Sequence, residues 1–389
     1  MIRDPPSGPR LAVRSIDPTG LRRFTRAGML IFDAHLDLAM NAIEWNRDLT
    51  QPLEAVRARE AHRTDRPDRG RGTVTLPEMR RAGIGLCVAT QIARVEHNAY
   101  SPVAGWASQA QAWAMTQAQL AWYRAMEESG EMVQILDRAA LDAHVALWEN
   151  ALAHGLPTER MPVGYIMSLE GADSMRSPTH LERSWNDGLR AIGPAHYGPG
   201  VYANGTDATG GFNAQGRELI REMDRLGFIL DATHLSDDCL DQALDLFGGP
   251  IWASHHNCRA LVPHNRQMSD AHIRAFAARG AVFGSVFDAW MLVPGWVRGK
   301  SNPENTEVTL DTAINHIDHI CQVTGSSRHV GIGSDLDGAF GTEQTPRDLK
   351  SIADLTRLLE RLRARGYSAE DVAGIAHGNF LRLLRAAWA

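Results

Sequence analysis

Histidines and acidic residues recur at the ends of short apolar segments, and these residue types suit metal binding. The first such segment ends FDAHLD, which places His35 and Asp37 two residues apart. On a β-strand that spacing points both side chains to the same face, where an imidazole and a carboxylate can serve one cation. A core histidine beside a capping aspartate is the structural alternative, so this pair alone does not establish a site.

Four further apolar segments end in the same kinds of residue. Glu170 lies in IMSLEG, His234 in LDATHLS, His255 in IWASHHN, and Asp335 in HVGIGSDLDG. Each has a structural alternative: an ion pair with an arginine, a hydrogen-bonded core histidine or a turn-capping aspartate. Five such coincidences together are improbable, and three imidazoles with three carboxylates are enough for two metal ions that share Glu170. His256 directly follows His255, and its side chain is expected to point away from that of His255.

These donors need a scaffold that brings distant chain segments to one place. Eight near-continuously apolar segments predict strands that are covered on both faces: 30–37, 85–91, 163–170, 189–196, 228–234, 251–255, 281–287 and 329–335. Apolar residues at helical spacing, or acidic starts, predict helices at 106–129, 216–226, 237–246, 270–278, 310–323 and 349–364.

Alternating strands and helices predict an α/β fold, a (β/α)8 TIM barrel in which the donors lie at the carboxyl ends of the strands. An open doubly wound sheet is the alternative, and the lack of GxGxxG after the first strand removes support from its dinucleotide-binding form. We assign 1–28 to an N-terminal arm or appendage and 29–389 to the barrel. Long inserted loops are predicted at 46–75 and 288–309, the second being long enough to form a lid.

Composition narrows the classes of partner. The 389 residues include 40 basic and 46 acidic ones, a net charge of −6, which argues against nucleic acid as a partner. The four cysteines form no CxxC motif, so neither a zinc ribbon nor a disulfide framework is expected. The sequence lacks an apolar stretch of about 18 residues and a secretory signal pattern, so we expect no membrane association and a cytoplasmic location. The arginine-rich stretch 57–81 is predicted to be a solvated, flexible insertion.

Several motifs together resemble a known family. In order, DAHLD, SLEG, the histidine of DATHLS, SHHNCRAL with the following HNR, GIGSDLDG and the terminal GNFLRLL are similar to the motifs of the membrane (renal) dipeptidase family, zinc peptidases with amidohydrolase-type barrels. The sequence departs from the family pattern at Leu36, where asparagine is usual, at Leu336, where phenylalanine is usual, and at Pro194-Ala195. The ligand positions are retained, so a change of substrate preference within the family is one expectation.

The resemblance implies two zinc ions in a binuclear site. It assigns His35 and Asp37 to one ion, His234 and His255 to the other, and Glu170 to a bridging position. A hydroxide held between the ions would be the nucleophile, because metal binding brings the pKa of water towards neutrality.

The resemblance also assigns three residues to the substrate. Asp335 would take a proton from the hydroxide and pass it to the leaving amine. His196, in GPAHYG, would stabilise the tetrahedral oxyanion. Arg266 would hold the terminal carboxylate of the substrate, which a guanidinium can bind in bidentate fashion.

The leading hypothesis is a metallopeptidase that hydrolyses the single peptide bond of small dipeptides, including L,D-dipeptides. A second hypothesis keeps the metals but changes the substrate to another amide, a lactam or a lactone. A third is a catalytically silent barrel that only binds ligands. A homodimer is compatible with apolar helices on the exterior of a barrel.

Overall fold

A computed structural model describes residues 28–96 and 105–389 of the chain. The N-terminal arm that the sequence predicts at 1–28 lies outside the described residues, except for Gly28. The description that follows concerns the barrel and its insertions.

Within residues 28–96 and 105–389, nine parallel strands form one sheet, and eight of them form a barrel. In chain order they are β1 (Ile31–Leu36), β2 (Ile84–Ile92), β3 (Met132–Gln134), β4 (Val163–Glu170), β5 (Leu189–Gly193), β6 (Ile229–Asp231), β7 (Ile251–Trp252), β8 (Phe283–Ser285) and β9 (Val330–Ile332). The hydrogen-bonded order is β7-β6-β5-β4-β2-β1-β9-β8. A parallel bridge between Ala253 and Phe283 joins β7 to β8. The predicted barrel is therefore confirmed, and each predicted strand overlaps one barrel strand.

Strand β3 lies outside this circuit and is missing from the sequence prediction. It pairs with the first half of β4, where Met132 lies opposite Val163. Strand β5 pairs with the second half of β4, where Glu170 lies opposite Gly193. A three-residue strand is too short to show a periodic pattern, which explains why the sequence does not reveal it.

Helices surround the strands. They are α1 (Leu38–Ile43), α2 (Leu53–Glu60), α3 (Leu76–Ala82), α4 (Gln109–Glu128), α5 (Arg138–His154), α6 (Pro178–Asn186), α7 (Ala214–Leu226), α8 (Asp237–Leu246), α9 (Asp270–Ala278), α10 (Pro303–Thr306), α11 (Leu310–Thr324), α12 (Leu355–Arg365), α13 (Ala369–Ala373) and α14 (Asn379–Ala387). Short 3₁₀ segments occupy Ala172–Ser174, Ala289–Met291, Ser327–His329 and Ile352–Asp354, and a π-helical segment occupies Gly374–Gly378. Two predicted helices, α8 and α9, have the predicted bounds, because Ser236 and Ser269 cap their first turns.

The amino end of the barrel is closed by the C-terminal helix. Phe32 of β1 and Trp252 of β7 lie on strands that are not neighbours, yet both rings contact Phe380 of α14, at centroid distances of 5.3 and 6.0 Å. All three side chains are buried. The interior at this end is therefore packed with side chains, which leaves the carboxyl end as the place for a cavity.

Three strands approach each other closely just below the carboxyl end. A Cβ atom added to Gly284 of β8 would lie 1.9 Å from the carbonyl oxygen of Ser254, and one added to Gly333 would lie 1.7 Å from the same oxygen. Atoms cannot approach to these distances without displacing the backbone. Glycine at both positions therefore allows the chain at Ser254 to sit against its neighbours.

The insertion after β1 is more ordered than the sequence predicts. It contains helix α2, and within 57–81 the side chains of Glu60, Asp68 and Arg80 are buried. Arg47 donates to both carboxylate oxygens of Glu60, at 3.0 and 3.1 Å, and to Asp68 at 2.8 Å. The prediction of a solvated stretch is wrong at these positions. Glu60 and Asp68 pair with Arg47, and Arg80 pairs with Glu131 at 2.6 Å, so these charges can be buried.

The second predicted loop, 288–309, carries only short helical segments, the 3₁₀ turn Ala289–Met291 and α10. It contributes residues to the wall of the large cavity at the carboxyl end of the barrel. In the described part of the chain, no helix is both long and apolar enough to cross a bilayer.

Candidate metal centre

The predicted donors come together at the carboxyl ends of the barrel strands. His35 is part of β1, Asp37 is the first residue after the end of β1, and Glu170 is the last residue of β4. The other donors lie three residues beyond the ends of β5, β6, β7 and β9: His196, His234, His255 and Asp335. Parallel strands present these ends at one mouth of the barrel, which explains how residues 300 positions apart in sequence meet.

Glu170 lies at the centre of the cluster. Its Oε1 lies 3.2 Å from His234 Nε2 and 3.4 Å from His255 Nε2. Its Oε2 lies 3.5 Å from His35 Nε2. Asp37 Oδ1 lies 3.8 Å from the same His35 nitrogen. The two oxygens of one carboxylate therefore face two different groups of donors.

Asp335 and His196 border the same cluster. Asp335 Oδ1 lies 3.9 Å from His35 Nε2, and His196 Nε2 lies 3.8 Å from Glu170 Oε1. Asp335 has a left-handed backbone (φ 58°), and its N–H donates to the carbonyl of His35 at 3.2 Å. This conformation is uncommon outside glycine, and here the hydrogen bond that Asp335 donates to the neighbouring strand supports it.

Hydroxyl groups lie behind the imidazoles. Thr206 Oγ1 lies 2.9 Å from Nδ1 of His234. Ser254 Oγ lies 3.2 Å from Nδ1 of His35, 3.0 Å from Nδ1 of His255, and 3.3 Å from Thr233 Oγ1. The Ser254 oxygen can accept from both Nδ1–H groups while its own proton goes to Thr233. In that arrangement the Nε2 atoms of His35 and His255 both face Glu170, and each has a lone pair for a cation when its ring is neutral.

The protonation states of the cluster, neutral imidazoles beside an ionised carboxylate, favour a bound cation. Burial holds the pKa values of His234 and His255 well below the usual range, so both rings are neutral. Burial alone would raise the pKa of Glu170, but the nearby imidazoles, His35 first, outweigh it and keep the carboxylate ionised. Burial also disfavours a charged His35, yet Glu170, Asp37 and Asp335 together raise its pKa to about 10.

These residues fit a metal ion. The Nε2 atoms of His234 and His255 lie 3.3 Å apart. When both rings carry their proton on Nδ1, the two Nε2 lone pairs face each other, and a cation bound by both would stabilise that arrangement. His35 Nε2 is buried, and in the described part of the structure it has no hydrogen-bond partner. Among the residues that the structure describes, three overlapping groups of donor atoms could hold an ion: His35, His255 and Asp335; Glu170, His196 and His234; His35, Asp37 and Glu170.

A cavity of about 880 Å³ lies over the donors. Arg266 borders it and is itself buried; its Nη2 donates to the carbonyl of His255 at 3.0 Å. Asp288 after β8, whose pKa burial raises to about 7, and Arg298 in the following loop also line it. Seven of the eight predicted site residues border this cavity. The eighth, His35, is buried, and its Nε2 lies 3.5 Å from Oε2 of Glu170.

Sequence reasoning missed several residues of this site. Ser254 and Thr206 contact the imidazoles, and Asp288 and Arg94 line the cavity. Ser254 directly precedes His255, so the sequence contains a signal for it. Thr206 and Asp288 contact distant parts of the chain, and Arg94 borders the cavity from the loop after β2. No recognisable sequence motif indicates these three residues.

The fold and the site together define an α/β barrel with a cluster of metal donors at its carboxyl end. Within that class, the model of one family, membrane dipeptidase (peptidase family M19), matches residues 22–389. The chain therefore belongs to this family, as the motifs predict.

Individual relatives agree with this assignment. An uncharacterised dipeptidase of Schizosaccharomyces pombe is 30% identical over 269 residues, which are 67% of this chain and 63% of the relative. The dipeptidase tcpJ of Claviceps purpurea is 27% identical over 225 residues, 57% of this chain and 50% of that protein. The matched regions thus span between half and somewhat under two thirds of these two relatives.

Solved structures show the same fold. A metallopeptidase from Rhodobacter sphaeroides, bound to a phosphinate mimic of the dipeptide L-Ala-D-Ala, superposes with a TM-score of 0.71 at 23% identity, covering 93% of this chain and 100% of that one. The probable dipeptidase PvdM from Pseudomonas aeruginosa gives 0.69 at 19% identity, covering 92% and 96%. At these identities the likeness supports the fold.

Proposed function

We propose that this protein is a binuclear zinc dipeptidase that hydrolyses the peptide bond of small dipeptides, L,D-dipeptides included. The observation that carries the proposal is the position of Glu170, whose two oxygens face two separate groups of donors. Membership of the dipeptidase family supports it. So does the dipeptide mimic in the Rhodobacter structure, which has the same fold.

The proposed ligands follow from the two faces of Glu170. His35 and Asp37 would hold one zinc ion, His234 and His255 the other, and Glu170 would bridge them. Imidazole and carboxylate donors suit zinc. Two zinc ions bound here would lower the pKa of a water molecule between them, so that hydroxide is available near neutral pH.

The remaining residues act on the substrate. Asp335 is buried, and burial raises the pKa of its carboxyl group well above the usual range, which suits a group that takes up a proton and passes it to the leaving amine. His196 would donate to the carbonyl oxygen as negative charge develops there. Arg266 would bind the terminal carboxylate of the dipeptide.

The cavity is large enough for substrates bigger than a dipeptide, so hydrolysis of another substrate is a second candidate function. A volume of about 880 Å³ lies near the upper end of the range of about 300–1,000 Å³ typical of small-molecule sites. A larger amide, a lactam or a lactone would use the same donors. A catalytically silent binding protein would also keep the fold but would not need the ionisable Asp335 beside the donors.

A panel of substrates and a metal analysis test the proposal together. Protein prepared without chelator should contain two zinc ions per chain and should release amine from L,L- or L,D-dipeptides but not from tripeptides. Asp335→Asn should retain zinc and lose most of the activity. Absence of zinc would reject the proposed metal. Hydrolysis of lactones or longer amides in place of dipeptides would reject the proposed substrate class.

Two further expectations from the sequence stay predictions. Cell fractionation would test the cytoplasmic location, and light scattering of the purified protein would test the homodimer.

A further inference from the structure

We propose that His256 is a positioning residue that holds the Arg266 guanidinium in place for the terminal carboxylate of the substrate. The inference rests on the proposed dipeptidase function and adds a residue to it. Sequence reasoning gave His256 no role, and the structure places its side chain outside the donor cluster. It does not border the cavity, whereas Arg266 does.

The contacts of Arg266 carry the inference. Its Nη1 lies 3.1 Å from Nδ1 of His256, and its Nη2 donates to the carbonyl oxygen of His255 at 3.0 Å. Only 2% of Arg266 and 2% of His256 is exposed. Two adjacent residues thus hold the two terminal nitrogens of one guanidinium, so the planar group has a fixed orientation.

The chemistry of the pair fixes which atom donates. A guanidinium has N–H donors and no acceptor, so the ring nitrogen that faces it must accept. Nδ1 of His256 therefore carries a lone pair and the ring proton lies on Nε2. A buried arginine has several rotatable bonds, and a neutral ring that accepts from one nitrogen selects a single position without neutralising the charge that the substrate needs.

The arrangement also couples substrate binding to the metal donors. The carbonyl that accepts from Nη2 belongs to His255, whose ring Nε2 lies 3.4 Å from Glu170. The distance between the bound carboxylate and the donor cluster is therefore set by one short piece of chain, residues 255–256. A dipeptide has a fixed distance between its terminal carboxylate and its peptide bond, so a rigid link of this kind favours substrates of that length.

Steady-state kinetics of four variants test the inference. His256→Leu, which removes the acceptor, should raise KM for a free dipeptide such as L-Ala-D-Ala by on the order of 10-fold and change kcat little. Arg266→Met should raise KM by on the order of 100-fold. The double variant should match Arg266→Met alone, because His256 acts only through that arginine. His256→Asn, which keeps an acceptor near the position of Nδ1, should recover most of the wild-type KM.

A second substrate and a second histidine serve as controls. A dipeptide amide lacks the terminal carboxylate, so His256→Leu should leave its KM unchanged. His144 is a buried histidine near the amino end of the barrel that bonds to the carbonyl of Gly85 at 2.7 Å, and His144→Leu should leave KM for both substrates unchanged.

The outcomes separate this inference from the proposed function. Equal effects of His256→Leu on the free dipeptide and the amide, or additive effects in the double variant, would overturn the positioning role. If the wild-type protein hydrolyses no dipeptide, the proposed function fails, and a crystal structure of His256→Leu still tests the pair. Arg266 should then leave its wild-type orientation, and an unmoved guanidinium would refute the inference.

Discussion

At the scale of single residues, the Ser254 hydroxyl does more than fill space in the barrel. It contacts Nδ1 of both His35 and His255, and it is completely buried. A hydroxyl that accepts from both rings leaves each Nε2 free to bind a cation. Two of the proposed ligands, one for each metal ion, therefore depend on the same oxygen atom.

Removal of this oxygen should weaken metal binding. We expect Ser254→Ala to lower the affinity for zinc by about 10- to 100-fold, as is typical when a group that orients a histidine ligand is lost. Competition with a chromogenic chelator measures the affinity directly.

Ser269 provides a matched control. Its hydroxyl also contacts a histidine ring, Nδ1 of His272 at 3.0 Å, but in helix α9 away from the donors. Ser269→Ala should destabilise the helix cap and leave zinc affinity unchanged. Equal zinc affinity of Ser254→Ala and the wild type would show that the rings are oriented without this hydroxyl.

At the scale of elements, the turn after β9 holds the insertion that follows β1. Asp337 in that turn accepts hydrogen bonds from the N–H and the hydroxyl of Thr73, at 2.6 and 2.7 Å, and from the N–H of Val74 at 3.0 Å. Arg47 lies 3.6 Å from the same carboxylate. Asp335 lies two residues earlier in this turn, so the insertion supports the chain that carries the proposed proton acceptor.

Neutralising this anchor should destabilise the protein. Asp337→Asn keeps a side chain that tolerates the left-handed backbone of this position (φ 64°), yet it loses the charge in a buried ion pair. We expect a loss of about 3 kcal/mol in the free energy of unfolding, measured by urea titration, and faster proteolysis within the insertion.

A carboxylate at the surface of the same insertion is the control. Asp48 is exposed and accepts from the N–H of Thr50 at 3.1 Å, so Asp48→Asn should change the free energy of unfolding by less than about 0.5 kcal/mol. An Asp337→Asn protein as stable as the Asp48→Asn protein would mean that the anchor contributes little.

The sequence indicates the barrel strands well and the insertion poorly, for different physical reasons. A parallel strand buried on both faces leaves an apolar run in the sequence, so β1, β4 and β9 are recognisable without a structure. The burial of Glu60 and Asp68 depends on Arg47, and nothing local in the sequence shows that these three charges meet. Composition alone therefore predicts solvent exposure where the structure has an internal ion-pair network.

In the candidate site, the metal donors can be predicted from the sequence, but the groups that support them cannot. Donors such as His35 and Glu170 end apolar strands, and the barrel geometry brings strand ends together, so their convergence follows from the pattern. Supporting groups such as Thr206 and Asp288 lie in loops, whose course depends on tertiary contacts. Their contribution becomes visible only in three dimensions.

At the scale of the whole molecule, a metal centre would tie distant parts of the chain together. The proposed ligands come from β1, β4 and the segments after β6 and β7, so ions bound there would link strands on different sides of the barrel. A ligand that binds only the folded state stabilises it by mass action, by about 4 kcal/mol at a concentration of 1,000 times Kd.

Metal removal should therefore lower the thermal stability of the protein. We expect the Tm to fall by several degrees after treatment with a chelator and to recover on addition of zinc, as followed by differential scanning calorimetry. Magnesium is a suitable control because it prefers oxygen ligands in octahedral geometry and should not replace zinc at imidazole nitrogens. An unchanged Tm after complete removal of metal would contradict a centre that bridges the strands.

The packing of Gly284 and Gly333 against Ser254 has a consequence for the mutational tolerance of the chain. Neither glycine has a functional group, yet a single methyl group on either would displace the backbone of the serine that orients two proposed ligands. In a saturation library these two positions would be as intolerant as the ligands themselves. In this barrel, a position that tolerates no substitution can therefore be one that packs against the metal centre, and not only one that binds metal or substrate.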